Sequence, residues 1–190
     1  AGIGAWKREF IGKRKIELAE QVLAKFFEVK DAFLFIRNPF SSVSEGSSRQ
    51  RAEGESPEDS RILGRGYIVV ERYKERESVF SEFSSLKYRF MAAFGKDTES
   101  IFTDTFREVN SIFVSAGQLS RVYWRQRSQS GLSVEQIEDH IKRMRRHEAI
   151  FWDTMDDTDD VIRLKLQSVQ DRLEKAVMPA FEEPNSLYAL

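Results

Sequence analysis

The sequence predicts an all-α protein: an elongated antiparallel bundle of three long helices, at about residues 7–37, 57–94 and 98–126, with two shorter ones at about 134–152 and 158–178. Three observations predict it. Apolar residues recur at spacings of three and four along most of the chain. Only four Pro and ten Gly occur in 190 residues, and most fall between the periodic segments. Charged residues reach 32%, which suits exposed helix faces, while 41% hydrophobic and 12% aromatic content can furnish a core. The length fits one domain, residues 1–178, followed by an irregular tail at 179–190.

In the first segment Leu18, Val22, Phe26, Val29, Phe33 and Ile36 mark one helical face. Ile16, Ala19, Leu23 and Phe27 widen that stripe, so the helix is expected to touch at least two neighbours. Lys13, Glu17, Glu20, Ala24, Glu28 and Asp31 make the opposite, wet face. The start of the helix is unusual. Lys7, Arg8, Lys13, Arg14 and Lys15 put five cations where the helix dipole disfavours positive charge, by ~0.3–1 kcal/mol each. Two readings compete. The cluster is either a solvated basic turn or, led by Trp6, the cytoplasmic flank of a membrane helix lying upstream. Residues 1–6 accordingly read as a cloning remnant or as the end of such a transmembrane helix.

Residues 38–56 read as a long loop, broken by Pro39, Gly46 and Gly54. Its length makes it either functional or a mobile connector, the latter being favoured. Arg49 and Arg51 could bind a phosphate, but the local sequence contains no phosphate cradle. Ser56-Pro57-Glu58-Asp59 is a helix start, with Ser56 as cap and Pro57 at the first position. Tyr67, Val70, Val79, Phe83, Leu86, Phe90 and Phe94 follow on one face until Gly95. Gly64 and Gly66 would permit close packing or a bend. The charged stretch from Glu71 to Glu77 is expected to face solvent.

Asp97 is the expected cap of the third helix, whose face carries Phe102, Phe106, Val109, Phe113, Ala116 and Leu119, broadened by Ile101, Ile112 and Tyr123. In the fourth, Ser133 with Gln136 makes a capping box and Leu132 with Ile137 a hydrophobic staple. Val134, Ile137, Ile141, Met144 and Phe151 should face inward. The fifth buries Ile162, Leu166, Val169, Leu173 and Val177, and should stop at Pro179.

The chemistry the residues advertise is sparse. With no Cys there is no thiolate nucleophile, disulfide or Cys-based metal site. The acidic run Asp153–Asp160 fails as a calcium loop, because its sixth residue is Thr158 and its twelfth Leu164. An acidic first helical turn, capped by Asp157 or Thr158, is favoured instead. His140 and His147 lie about 10 Å apart along one helix, too far to share an ion. No base, nucleophile or metal constellation emerges, so neither an enzyme nor a cofactor is expected. A second basic zone, Arg121, Arg125, Arg127, Lys142, Arg143, Arg145 and Arg146, lies near Tyr123, Trp124 and Trp152. It could contact phosphates or single strands. A net charge of −1 and the lack of a nucleic-acid module favour a solvated or salt-bridged face instead.

Several segments resemble a group of uncharacterised bacterial proteins with one N-terminal transmembrane helix and a cytoplasmic all-helical region. They are Arg14-Lys15-Ile16-Glu17-Leu18-Ala19-Glu20, then Phe26, Phe27, Asp31 and Ala32, then Ile36-Arg37-Asn38-Pro39 with Glu45-Gly46, and finally Tyr88-Arg89-Phe90-Met91-Ala92-Ala93-Phe94-Gly95. The resemblance covers roughly the first two-thirds of the chain and implies no activity and no site residues. It implies an address on the cytoplasmic face of the bacterial inner membrane, reached through a segment upstream of Ala1; without that segment the protein would be cytoplasmic. The expected function is a membrane-tethered helical interaction or scaffold module, with a protein partner or self-association. The alternative is a ligand-sensing bundle with a small molecule between long helices.

Overall fold

The computed structural model describes residues 2–125 and 133–182, with side chains from Glu9 onward. Every regular element among them is helical: α1 (Gly2–Arg37), α2 (Pro57–Ser85), α3 (Lys87–Phe94), α4 (Glu99–Gln118), α5 (Val134–Phe151) and α6 (Val161–Glu182). The protein is an all-α helical bundle, as its periodicity predicts. Its contacts divide into two compact units.

Unit 1 comprises residues 1–31, 78–106 and 165–190. Its core is a phenylalanine stack. Phe83 stacks on Phe102 at 4.6 Å and tilts against Phe26 at 5.9 Å, while Phe90 meets Phe94 at 4.5 Å and Phe102 at 5.9 Å. Such ring pairs add ~0.5–1.5 kcal/mol each beyond the area they bury. Lys15 lies over Phe94 while Phe26 meets Phe83, so α1 runs antiparallel to α2–α3 here. Phe80 against Phe106 and Phe83 against Phe102 make α2 and α4 antiparallel as well. At the rim, Lys25 bridges Glu28 and Glu82, and Arg172 reaches Asp104 and Ser100.

Unit 2 comprises residues 32–77 and 107–164. Here α2 and α4 approach closely at Gly66, where an added Cβ would lie 2.6 Å from that of Ser120 and 3.1 Å from the Ala116 carbonyl. Tyr73 meets Phe113 edge-on at 5.2 Å, which makes this pairing antiparallel too. Ser133 caps α5 with its reciprocal Gln136 bond, as its sequence predicts.

Most stripes hold. Leu18, Val22, Phe26, Val29, Phe33 and Ile36 are buried, as are Ile162, Leu166, Val169, Leu173 and Val177. Phe27 and Val134, however, are exposed, because each sits at the edge of its helix's apolar arc or in its first turn. The helix expected at 57–94 is broken at Leu86. The Ser85 hydroxyl donates back to the Glu82 carbonyl, and the Leu86 amide turns to the Phe83 carbonyl three residues away. The helix expected at 98–126 ends as an α-helix at Gln118 and continues as a π turn, Leu119–Tyr123. Its closing bond runs from the Trp124 amide to the Leu119 carbonyl.

Asp97 does not cap α4 but lies inside a 3-10 turn, Lys96–Thr98, in which Thr98 donates to the Gly95 carbonyl. Pro179 does not end α6, which runs to Glu182. Burial of Val177 and Ala180 on either side offsets the missing proline donor. The side chains of Trp6, Lys7 and Arg8, together with Arg127, the Leu132 staple and residues 183–190 of the tail, lie outside the described residues.

Candidate functional site

Two arginines organise unit 2, and both sit where helical periodicity demands an apolar residue. Arg37 follows Phe33 by four on the buried stripe of α1 and is 1% exposed. Its Nε donates to the Ile150 carbonyl at 2.8 Å, and Nη2 donates to the carbonyls of Ala149 and Trp152 at 2.9 and 2.7 Å. A guanidinium thus sits on the last carbonyls of α5, where the helix dipole favours a cation. Nη1 and Nη2 also hold Asp160 in a fork, at 2.7 and 2.9 Å.

Asp160 is fully buried and also caps α6. Its Oδ1 accepts the amides of Ile162 and Arg163, and its Oδ2 accepts that of Thr154. The cap is therefore Asp160, not Asp157 or Thr158, because α6 begins at Val161 and its first free amides face the Asp160 carboxylate. Asp153 completes the node, accepting from Arg163 at 2.8 Å and lying 3.6 Å from Arg37. Arg163 also donates to Asp157, and its bonds to these two carboxylates push its pKa upward, so it stays charged. Asp156, Asp157 and Asp159 remain exposed. The acidic run is thus a counter-charge for two arginines, and no metal-holding cluster occurs among the described residues.

Burial pushes the Asp160 carboxyl up, but the Arg37 guanidinium and the amides of Thr154 and Arg163 outweigh it and hold it at about 2, against an ordinary 3.8. The folded value lies below the unfolded one. The stabilisation is therefore complete above about pH 4 and disappears as pH falls toward about 2. It amounts to about 2 kcal/mol. Chemical denaturation at stepwise pH should show that decline, and Asp160→Asn, which retains a capping oxygen, should flatten it. An unchanged slope in the variant would assign the acid sensitivity elsewhere.

Arg72 is the second buried arginine, 3% exposed, in a stretch whose charge predicts solvent. It lies four residues beyond Ile68 and three beyond Val69, both buried, so its position on α2 faces inward. Nη1 donates to the carbonyls of Asn38 at 2.6 Å and Ile36 at 3.3 Å, and Nη2 to that of Phe40 at 2.7 Å. Its Nε meets Glu45 at 2.7 Å and holds that carboxyl below its usual range. Arg72 therefore caps the C-terminus of α1 and ties down the 38–56 loop at once. Glu71 adds to this by accepting from the amides of Gly46 and Ser48 and from the Ser48 hydroxyl. These bonds hold the loop against α2. Gly46 is required here: its φ is +84°, and an added Cβ would lie 2.1 Å from the Gly64 carbonyl oxygen.

Held in this way, the loop forms a cleft of about 260 Å³ with the first turns of α2. Arg49 and Arg51 come from the loop and Arg61 and Arg65 from the helix. Arg49 pairs with Glu55, and Arg65 lies 4.2 Å over the Trp124 ring and 6.0 Å from that of Trp152. Arg51 and Arg61 are exposed. Sequence spacing reveals Arg49 and Arg51 but cannot show that Arg61 and Arg65 join them.

The other predicted basic residues are less converged. On α1, Lys13 and Arg14 are exposed and Lys15 half-buried, beside half-exposed Phe10 and Ile11. Arg14 lies over the Phe10 ring at 5.3 Å. In the second zone, Arg125 pairs with Asp59 and Arg143 with Asp139, while Arg121, Lys142, Arg145 and Arg146 are exposed. Its aromatics are already engaged. Tyr123 packs against His140 and His147, and Trp124 packs on Phe151 and donates to Glu148. Burial, with Arg146 nearby, pushes the His147 imidazole down, which favours its neutral form.

Comparison with known proteins finds no matching family, no curated relative and no similar solved structure. No helix among the described residues is long and apolar enough to cross a membrane.

Proposed function

We propose that this chain is the cytoplasmic part of a membrane-tethered helical module that acts through protein contacts, with its partner a second protein or another copy of itself. The observation that carries this reading is the composition of the N-terminal third of α1. This stretch is helical from Gly2, contains no acidic residue in the first turn, and places Lys13, Arg14 and Lys15 next to half-exposed Phe10 and Ile11. Basic side chains gathered beside exposed apolar ones, about three turns into α1, suit the anionic cytoplasmic leaflet, which takes up both. The Arg37 and Arg72 nodes have every nitrogen engaged, which suits a rigid scaffold better than a reacting centre.

A small molecule between long helices receives less support. In unit 1 the phenylalanine stack fills that space, and in unit 2 the cleft opens at the loop.

The test is fractionation of the full gene product in a bacterial host. It should sediment with inner membranes and resist alkaline carbonate extraction, whereas residues 9–182 expressed alone should not. Recovery of the full product in the soluble fraction would overturn the tether.

A further inference from the structure

We propose that the arginine-lined cleft between the 38–56 loop and α2 binds the phosphate group of a small soluble phosphate monoester. Four guanidiniums from two elements line one cleft, and Glu45, the one carboxylate among the described residues of its wall, is already committed to Arg72. Glu55, beside the wall, is likewise committed to Arg49. The lining therefore carries an uncompensated positive charge. Arg51 and Arg61 have no ion pair or hydrogen bond among the described residues, so their donors are available to a ligand. Arg65 is pre-positioned through its face by Trp124, which leaves its edge donors for an anion.

The cleft's shape narrows the ligand class. At about 260 Å³ it lies just below the ~300–1,000 Å³ usual for drug-sized ligands, which suits a phosphate with a few carbons attached. Gly46 and Gly64 meet backbone to backbone in its wall, so no side chain occupies that space. A planar guanidinium fork matches a phosphate's oxygens, and a dianion gains more than a monoanion from several such forks.

Calorimetric titration and thermal melting at constant ionic strength would test this, with inorganic phosphate, glycerol 3-phosphate and vesicles containing phosphatidic acid as probes. Saturable binding of the two soluble probes is expected. At about ten times the dissociation constant, melting should rise by roughly 3–6 °C. Arg51→Gln with Arg61→Gln should abolish the effect, and because both side chains are exposed the circular dichroism should be unchanged. Arg143→Gln with Arg145→Gln, which removes equal charge elsewhere in unit 2, should leave it intact. The proposal is overturned if the soluble probes do not saturate, if the two double variants lose binding equally, or if only the vesicles bind.

Discussion

Replacing Arg37 by Met is expected to destabilise the protein by about 3–5 kcal/mol, a large share of a typical folding free energy. Met fills much of the same volume, so the loss is polar. Three carbonyls at the end of α5 lose their donor, and Asp160, fully buried, loses its bidentate cation and keeps backbone amides as partners. Urea denaturation measures the effect. Adding Asp160→Asn to Arg37→Met should recover about half of it, because Asn removes the buried charge and still accepts the Ile162 and Arg163 amides. Additive losses in the double variant would show that the two residues do not act as a pair. Arg37→Lys should also be costly, because one ammonium cannot span two carboxylate oxygens and three carbonyls.

Arg72→Met should cost less overall, about 2–4 kcal/mol, because Glu45 is partly exposed and can recover water on losing its partner. Its signature is local. The carbonyls of Ile36, Asn38 and Phe40 lose their donor together, and the loop loses its tie to α2. Trypsin should then cut at Arg49 and Arg51 well before the rest of the chain, which the parent protein should resist. Arg37→Met would accelerate cleavage at many sites instead. If Arg72→Met leaves the loop resistant, the bonds from Glu71 to Gly46 and Ser48 suffice to hold it. The same variant should weaken phosphate binding in the cleft, whose loop wall it releases.

Both arginines give a physical role to part of the pattern Ile36-Arg37-Asn38-Pro39 with Glu45-Gly46. Arg37 caps α5, the Asn38 carbonyl receives Arg72, Glu45 pairs with Arg72, and Gly46 approaches Gly64. These residues build a junction between a helix end and a loop.

Helix positions, buried stripes and two of the caps could be read from the sequence by itself, because all depend on neighbours within about four residues. Leu18 through Ile36, Ile162 through Val177, Ser56 before Pro57 and Ser133 with Gln136 are all of this kind. Even the charged arginines leave a trace there, since Arg37 and Arg72 fall in register with Phe33 and with Ile68 and Val69. A charge on an apolar stripe asks for a partner, but spacing cannot say which of many carboxylates answers. That was decided by tertiary structure, which brings Arg37 to Asp160, 123 positions away, and Arg72 to Glu45. The same holds for the cleft. Arg51 and Arg61 are near in sequence, yet they face a common space only because Arg72 and Glu71 hold the loop against the helix. Backbone periodicity is local and survives in the sequence, whereas charge pairing acts through space and is settled when the chain has folded.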